Sequence, residues 1–226
     1  TSTTFAFRLT VSDGLLTSTD EVVVVVFPAG SGSTNLIFPQ FVNGQNPPAA
    51  LVPAGVGETA SRTRIILRNN SDLTDTGRIH FRDAIGIQTE VPINGIPTHT
   101  FLYLVEGWKT LEVETDGTGV LQSGVIEVVS DLGPQSKLEG TEVFEVLGNF
   151  VSVNNAPPLT RQQTYVSVTA DENTGIALHN PHRTFATVDL ILVSGEEQDR
   201  KQVTLGPLEQ LVTFLDEEEF FRDFFQ

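Results

Sequence analysis

The sequence predicts an all-β protein made of tandem antiparallel β-sandwiches, with one short helix at the C-terminal end. Three observations support this class: segments in which apolar and polar residues alternate, turn residues between those segments, and a hairpin pattern that occurs twice. Alternation with a period of two residues places one side of an extended strand against a core. Many short strands separated by turn residues are typical of a sandwich or a barrel.

The composition limits which kinds of partner and chemistry are possible. The chain has 226 residues, of which 39% are hydrophobic, and a formal net charge of −16. Such a charge repels phosphate backbones and anionic lipid headgroups, so nucleic acid and membrane surfaces are poor partners. The longest apolar run, Val22–Phe27, is far shorter than a membrane span, so membrane insertion is not expected. There is no cysteine, which excludes disulfides, thiolate metal sites and a cysteine nucleophile.

The N-terminal segment predicts a hairpin. Thr4–Val11 alternates, Ser12–Gly14 supplies turn chemistry, and Asp20–Phe27 is a nearly all-valine strand. The string L-T-V-S-D-G within this hairpin resembles the last two strands of bacterial PKD-type and cadherin-like domains. The resemblance implies that residues 1–28 end an incomplete immunoglobulin-like domain, whose earlier strands lie upstream or are replaced by a neighbouring chain. Residues 29–35 are expected to be a Gly/Ser linker.

Two further modules are predicted, at residues 36–158 and 159–226. The first opens with Leu36–Phe41, expected to be an edge strand because Pro39 interrupts it. The alternating segments that follow are predicted strands: Ile65–Leu67, Gly77–Phe81, Phe101–Val105, Leu111–Val113, Val125–Val129, Val143–Val146, Phe150–Val153, Tyr165–Val168, Gly175–Leu178, Thr187–Val193 and Gln202–Leu205.

An internal repeat relates the two modules. The string I-I-L-R-N-N at Ile65–Asn70 matches I-A-L-H-N-P at Ile176–Pro181, and the match continues through the next strand at a constant offset of 111 residues (69 to 180, 81 to 192). The matched pairs are Leu67 with Leu178, Asn69 with Asn180, Ile79 with Leu190, and Phe81 with Leu192. This pattern favours a duplicated hairpin in which each Asn is a turn residue that bonds the loop backbone.

The same offset makes a prediction about the end of the second module. It matches Gln226 with Thr115, so the second module would lack counterparts of residues 116–153 and would be truncated.

The C-terminal end predicts a helix. Asp216 and Glu219 have the spacing of a capping box, and four phenylalanines follow at helical spacing. Such a helix could dock on its own sandwich or on a neighbouring subunit. The candidate assembly residues are the aromatic and apolar positions of the two ends: Phe5, Phe7, Val24, Phe220, Phe221, Phe224 and Phe225.

Residues 36–226 also carry three motifs of a known kind of protein. These are F-P-Q-F at Phe38–Phe41, T-G-I-A-L-x-N-P at Thr174–Pro181, and F-L-x-E-x-F at Phe214–Phe221, where the sequence reads F-L-D-E-E-E-F-F. They resemble the repeated β-sandwich modules of large secreted bacterial proteins. The resemblance implies an immunoglobulin-like fold and a cell-surface, adhesive or filament-forming context, and it brings no catalytic activity with it.

Catalytic chemistry finds no support in the sequence. The four histidines, His80, His99, His179 and His182, lack zinc-binding spacing, and no nucleophile elbow or phosphate-binding loop occurs. Four glutamates, Glu112, Glu114, Glu127 and Glu142, alternate along strands and are expected to face solvent. We therefore expect a protein that is not an enzyme.

Calcium is the one cofactor for which the sequence offers candidates. Hard cations prefer clustered oxygen ligands, and the candidate loops contain Asp72, Asp75, Asp171 and Asn173, with Asp116-Gly117 as a further acidic turn. The alternative, which is favoured, is that these residues shape turns, because Asp and Asn are common there. The expectation is thus no cofactor, with Ca²⁺ as the open candidate.

These observations lead to two functional hypotheses. The first is a non-catalytic, extracellular structural or adhesive module of a large bacterial surface or filament-forming protein, which associates with itself or with other surface proteins and in which the N-terminal hairpin adds to a neighbour's sheet. The second is a carbohydrate-binding accessory module of a secreted polysaccharide-active protein, in which Trp108, near Tyr103, would stack on a glycan.

Overall fold

The computed structural model describes residues 3–12, 17–26, 35–45, 60–146, 149–156, 174–194, 197–217 and 220–221, and the single positions 159, 162, 164, 166 and 168. Within these residues the all-β prediction is confirmed, because strands dominate and the only helical element is one 3₁₀ turn at Gly133–Gln135. None of the described residues belongs to a helix that is long and apolar enough to cross a bilayer.

The described strands pair antiparallel with one another. In chain order they are β1 (Thr3–Ser12), β2 (Thr17–Val26), β3 (Asn35–Gln45), β4 (Ala60–Asn69), β5 (Asp75–Asp83), β6 (Val91–Ile93), β7 (Ile96–Thr98), β8 (Thr100–Val105), β9 (Thr110–Glu114), β10 (Gln122–Ser130), β11 (Leu138–Val146), β12 (Asn149–Asn154), β13 (Gly175–His179), β14 (Ala186–Ser194), β15 (Glu197–Leu205) and β16 (Gln210–Phe214).

One large sheet and four two-stranded sheets contain these strands. The large sheet has eight strands in the order β12-β11-β4-β3-β10-β5-β8, with β9 also paired to β4. Three of the two-stranded sheets are hairpins, β1-β2, β6-β7 and β14-β15, and the fourth pairs the non-consecutive strands β13 and β16. The predicted N-terminal hairpin is confirmed, since Phe5 pairs with Val24 and Phe7 with Val22; the side chains of β1 and β2 lie outside the described residues.

The main core follows directly from the alternation in the sequence. In β4 every second residue is buried, so that Ile65 and Leu67 point inward while Arg64 and Arg68 are exposed. The core collects the inward residues of many strands, and Phe41 meets Phe81 edge to face with ring centroids 5.6 Å apart. Its buried members are Phe38, Phe41, Ile65, Leu67, Ile79, Phe81, Val91, Ile93, Tyr103, Val105, Val113, Ile126, Val128 and Leu138.

The opening strand differs from its prediction. The predicted interruption at Pro39 is wrong, because β3 runs through it to Gln45. The reason is a register shift between Gly124 and Ile126 on β10, opposite Pro39, which removes the need for a donor from the proline nitrogen. Around Pro39 the strand pairs only with β10 among the described strands, as expected of an edge strand, since its pairing with β4 is limited to Gly44 and Gln45.

The C-terminal helix is not found in the part that is described. Residues 215–217 and 220–221 form successive turns, in which the Phe220 amide donates to Glu217 O and the Phe221 amide to Leu215 O. The physical reason is burial: Phe221 is buried with Leu192 and Leu215 in a second, smaller core, and tight turns bring it there. Residues 218–219 and 222–226, with Phe224 and Phe225, lie outside the described residues.

Candidate docking interface between two repeats

Two groups of strands have the same pairing pattern. In the first repeat, defined here as β4, β5, β8 and β9, Leu67 pairs with Leu111 across β4-β9. In the second repeat, β13 to β16, Leu178 pairs in the same way with Leu211 across β13-β16. The antiparallel pair β5-β8 also corresponds to the hairpin β14-β15, as described below. The predicted duplication therefore appears in the strand pairing itself.

A buried asparagine joins the strand ends of the first repeat. The Asn69 side-chain amide donates to the carbonyl oxygens of Leu73 at 2.6 Å, Val105 at 3.1 Å and Glu106 at 3.4 Å. Its Oδ1 accepts from the Ser71 amide at 3.1 Å. The residue thus forms the predicted Asx turn and, in addition, links that turn to the end of β8.

Asn180 makes the corresponding contacts in the second repeat. Its amide donates to the carbonyls of Thr184 at 2.7 Å, Gly206 at 2.7 Å and Leu205 at 3.5 Å, and its Oδ1 accepts from the His182 amide at 3.1 Å. A side chain that satisfies several buried carbonyls is costly to remove. We call this arrangement the Asn corner: Asn69 or Asn180 together with the loop and strand-end backbone groups that its side chain binds. Its presence in both repeats explains why an Asn occupies both positions.

A strained turn residue follows each corner. Trp108 has a φ of 61° and Leu208 a φ of 60°, in a backbone region that residues other than glycine rarely adopt. The Trp108 amide donates to Ser71 O at 2.9 Å and the Leu208 amide to His182 O at 3.0 Å. The two turns are therefore equivalent, with Trp108 and Leu208 at the same position.

This equivalence corrects the constant offset expected from the sequence. Asn69 matches Asn180 at an offset of 111, but Trp108 matches Leu208 at an offset of 100 (108 to 208), because the second repeat has a shorter connection between β14 and β15. The Thr115 amide donates to Thr63 O, and the Leu215 amide makes the equivalent hydrogen bond to Thr174 O. Thr115 consequently corresponds to Leu215, and its predicted match with Gln226 is wrong.

The second repeat docks on the large sheet through Gln210. The Gln210 side-chain amide donates to Pro39 O at 2.5 Å and to Gly124 O at 3.2 Å. Its backbone amide donates to Ala84 O at 2.8 Å. Gln210 is 7% exposed, so these bonds form in a site that excludes most water. The carbonyls at the register shift of β3 and β10 thus receive donors from the second repeat.

The strained turn adds an apolar contact to this docking. A Cβ placed on Gly86 would lie 2.5 Å from the Leu208 Cβ, and Gly86 itself has φ of 83°. Only glycine fits at this position, for both space and backbone conformation. Leu208 therefore packs directly against the backbone of the loop that follows β5.

Between these contacts lies a small cavity. It has a volume of about 20 Å³ and is lined by residues of both parts: Ile37, Arg82, Val125, Glu127, His179, Pro181 and Leu208. That volume holds about one water molecule. Burial lowers the pKa of His179, although a backbone hydrogen bond to Glu209 and the nearby charge of Glu127 oppose the shift. Its buried Nδ1 has no hydrogen-bond partner among the described residues.

Comparison with known proteins assigns no relative. The chain matches no protein-family profile, no curated protein and no solved structure. The resemblance to bacterial surface modules therefore rests on the motifs in the sequence alone.

One predicted solvent-facing glutamate lies in the core. Glu142 of β11 is fully buried, whereas Glu112 is exposed and Glu114 and Glu127 are partly exposed. Desolvation raises the pKa of Glu142 well above its usual value, and neither carboxyl oxygen has a hydrogen-bond partner among the described residues. The charge of the residue led to the wrong expectation: Glu142 lies on the same face of β11 as the buried Leu138 and Phe144, so alternation with these two residues places it inward.

The two calcium candidates that the structure describes, Asp72 and Asp75, belong to no cluster of metal-ligating side chains among the described residues. Asp75 is buried, and its carboxylate accepts hydrogen bonds from the hydroxyls of Tyr103 at 3.0 Å, Ser130 at 2.7 Å and Ser136 at 2.6 Å. Asp72 is exposed on the preceding loop. In the described part of the chain, no group of three acidic, His or Cys residues is placed to hold a metal ion. Asp171 and Asn173 lie outside the described residues.

The remaining predicted site residues have mixed positions. Trp108 is 68% exposed, whereas Tyr103 is buried; burial and the charge of Asp75 raise its pKa. Phe221 is buried within its own chain and Phe220 packs against the same core. Asp116 accepts hydrogen bonds from the amides of Asn94 and Gly95 in the β6-β7 turn, so its carboxylate links that turn to the segment after β9.

Sequence reasoning missed the two residues that form the docking interface. Gln210 and Leu208 fall in a segment where the polar residues Gln210 and Thr213 point inward and the apolar Val212 and Phe214 are exposed. This inverts the usual pattern. The available signal was the match of Trp108 with Leu208, which a constant offset conceals.

Proposed function

We propose that this chain is a non-catalytic, extracellular structural module of a large bacterial surface or filament-forming protein. The observation that carries the proposal is the docking of the second repeat on the first module through Gln210 and Leu208. Hydrogen bonds to buried carbonyls fix an orientation, because each lost partner leaves a polar group unsatisfied. Repeats that are held in this way transmit force and keep a constant spacing.

The first module is proposed to be an immunoglobulin-like sandwich. Strands β12-β11-β4-β9 and β3-β10-β5-β8 are joined by only two residue pairs, Gly44 with Ser61 and Gln45 with Ala60. The main core draws residues from both sets. A Cβ on Gly140 of β11 would lie 2.6 Å from the Phe38 ring of β3, which supports close face-to-face packing of two sheets.

The docking is tested by asking whether the two repeats unfold together. The single tryptophan, Trp108, reports on the first repeat, whereas far-ultraviolet circular dichroism reports on all strands. We expect the two signals to coincide during urea unfolding of the wild-type chain. In Gln210→Ala the circular dichroism should begin to change at a lower urea concentration than the tryptophan signal, because the second repeat loses its anchor.

A matched control is available in the same repeat. Gln198 is exposed on β15, so Gln198→Ala should keep the two transitions coincident. Separate transitions in the wild-type chain, or coincident ones in Gln210→Ala, would contradict a docked pair of repeats.

Assembly by strand addition is part of the proposal. In the first repeat β5 pairs with β8 on one side and with β10 on the other. Its counterpart in the second repeat, β14, pairs only with β15 within the described residues. An open strand of this kind can accept a strand from another chain, and the β1-β2 hairpin is the candidate donor. Deletion of residues 1–30 should abolish this mode of assembly; unchanged assembly would exclude the hairpin as donor.

A second candidate function has one observation in its favour. The Trp108 side chain is 68% exposed, and an exposed indole is a common platform for sugar rings. Under this reading, binding on a glycan array would be lost in Trp108→Ala and kept in Phe150→Ala, since Phe150 is also exposed but lies on β12.

A further inference from the structure

We infer that the Trp108 turn is a docking element for a second copy of this chain, and that it contacts the exposed apolar face of the second repeat, around Ile191 and Val193. The inference rests on the proposed structural function, because it extends the contact seen between the two repeats. It assigns a specific surface to self-association.

The first step of the argument is what the equivalent turn does within the chain. Leu208, at the position of Trp108, is placed at positive φ and packs against Gly86 of the first module. In the second repeat this turn is therefore the part that contacts the neighbouring module.

The second step is that the first repeat presents the same turn without a cover. Trp108 has the same backbone conformation as Leu208 and the same hydrogen bond to the Asn corner, yet 68% of its surface is exposed. A large apolar side chain held at an unfavourable φ persists only where the surrounding structure or a function maintains it. The Asn corner maintains the backbone here, and Trp108 remains mostly exposed beside the described residues, which leaves its side chain available to a second copy of the chain.

The third step identifies the surface that would receive Trp108. Leu208 and Arg82 of β5 line the same small cavity. The counterpart of Arg82 in the second repeat is Val193 of β14. This follows from strand pairing, since Asp75 pairs with Val105 in the first repeat and Ala186 pairs with Leu205 at the same place in the second. Val193 is 61% exposed and its neighbour on the same face, Ile191, is 54% exposed.

These two residues form an exposed aliphatic pair on β14, and their cross-strand neighbours on β15 are Arg200 and Gln198. Their counterparts in the first repeat are His80 and Arg82, with Glu127 paired to Arg82 at 3.6 Å. An exposed pair of large aliphatic side chains is suited to an aromatic ring. Because the donor turn and the acceptor face are different surfaces of one chain, the contact is head to tail and leads to open-ended assembly.

Sedimentation velocity over a concentration series tests the inference on the full chain. The wild-type chain should self-associate, and the dissociation constant should rise at least about tenfold in Trp108→Ser and in Ile191→Arg, since aromatic anchors dominate such contacts. Phe150→Ser is the matched control, because Phe150 is 71% exposed on the distant strand β12. It should associate like the wild type.

Mixing the two defective variants gives the decisive result. Trp108→Ser keeps the acceptor face and Ile191→Arg keeps the donor turn, so an equimolar mixture should form heterodimers that cannot extend further. A mixture that stays monomeric, or a Trp108→Ser chain that associates as strongly as the wild type, overturns the inference.

The outcome is separable from that of the proposed function. A wild-type chain that remains monomeric at the highest concentration, while its two repeats still unfold together, overturns the inference and leaves the docking of the repeats intact. Circular dichroism and urea unfolding of each variant establish that the loss of association is not a loss of folding.

Discussion

The Asn corner offers a prediction whose size follows from the structure. Asn69→Ala removes two amide donors that serve carbonyls at the ends of the loop and of β8, and one acceptor for Ser71. Each such hydrogen bond contributes about 1 kcal/mol net in a buried site. With three of them lost and the carbonyls left buried, the free energy of unfolding should fall by about 3 kcal/mol.

The second repeat provides an internal replicate of this experiment. Asn180→Ala removes the same set of hydrogen bonds, to Thr184, Gly206 and His182, from a residue that is 2% exposed. The destabilisation should therefore be of the same size, about 3 kcal/mol. The second repeat should be the part of the chain that unfolds at a lower urea concentration in this variant.

Equilibrium unfolding in urea, followed by circular dichroism, measures both changes. Asn70→Ala is the control, since the half-buried Asn70 makes only a backbone hydrogen bond, to Lys137. Asn69→Asp is a stricter test: it keeps the shape but turns a carboxylate oxygen toward carbonyl oxygens, and should destabilise at least as much as Asn69→Ala. A loss below about 1 kcal/mol for both alanine variants, or a neutral Asn69→Asp, would refute the role given to this corner.

Two further predictions concern buried titratable groups, with opposite signs. Burial raises the pKa of Glu142 above its usual 4.5, so the folded chain holds this proton to a higher pH than the unfolded chain. The contribution of Glu142 to stability is therefore fully present below pH 4.5 and is lost as pH rises through the folded pKa. Glu142→Gln should remove this decline, while Glu139→Gln, on the exposed face of the same strand, should keep it. Burial lowers the pKa of His179 from its usual 6.5, so its contribution is full above pH 6.5 and is lost as pH falls through the folded pKa. His179→Gln should flatten the stability change between pH 8 and pH 5 by at most about 1.4 kcal/mol per pH unit. The control is His182→Gln, which should show the same stability change as the wild type. Urea unfolding across the pH range measures both predictions.

Much of the fold could be predicted because period-two alternation is a local signal. The strands around Ile65, Ile79 and Tyr103 bury one face each, and the sequence shows which one. Alternation says nothing about partners, however. It could not show that Pro39 sits opposite a register shift of β10. For Glu142 the alternation with Leu138 and Phe144 indicates the inward face, but its charge favours the solvent side, and the prediction followed the charge.

The docking interface was beyond sequence reasoning for a related reason. Gln210 is buried because it donates to carbonyls that are distant in sequence, and the unusual inward position of a polar residue is understandable only once Pro39 and Gly124 are seen beside it. The match of Trp108 with Leu208 was hidden by the shorter connection in the second repeat.

The two repeats show how one turn can serve two surroundings. The Asn corner fixes the backbone of the turn through bonds to its own repeat, so the residue at positive φ is held in place whatever it contacts. The side chain at that position is then free to vary with the partner: Leu208 is small enough to pack against Gly86, whereas Trp108 extends a larger apolar surface into solvent. If Trp108 docks as we propose, stability and recognition are carried by different residues, Asn69 and Trp108. This separation predicts that replacing Trp108 changes association and not folding, while replacing Asn69 changes folding first.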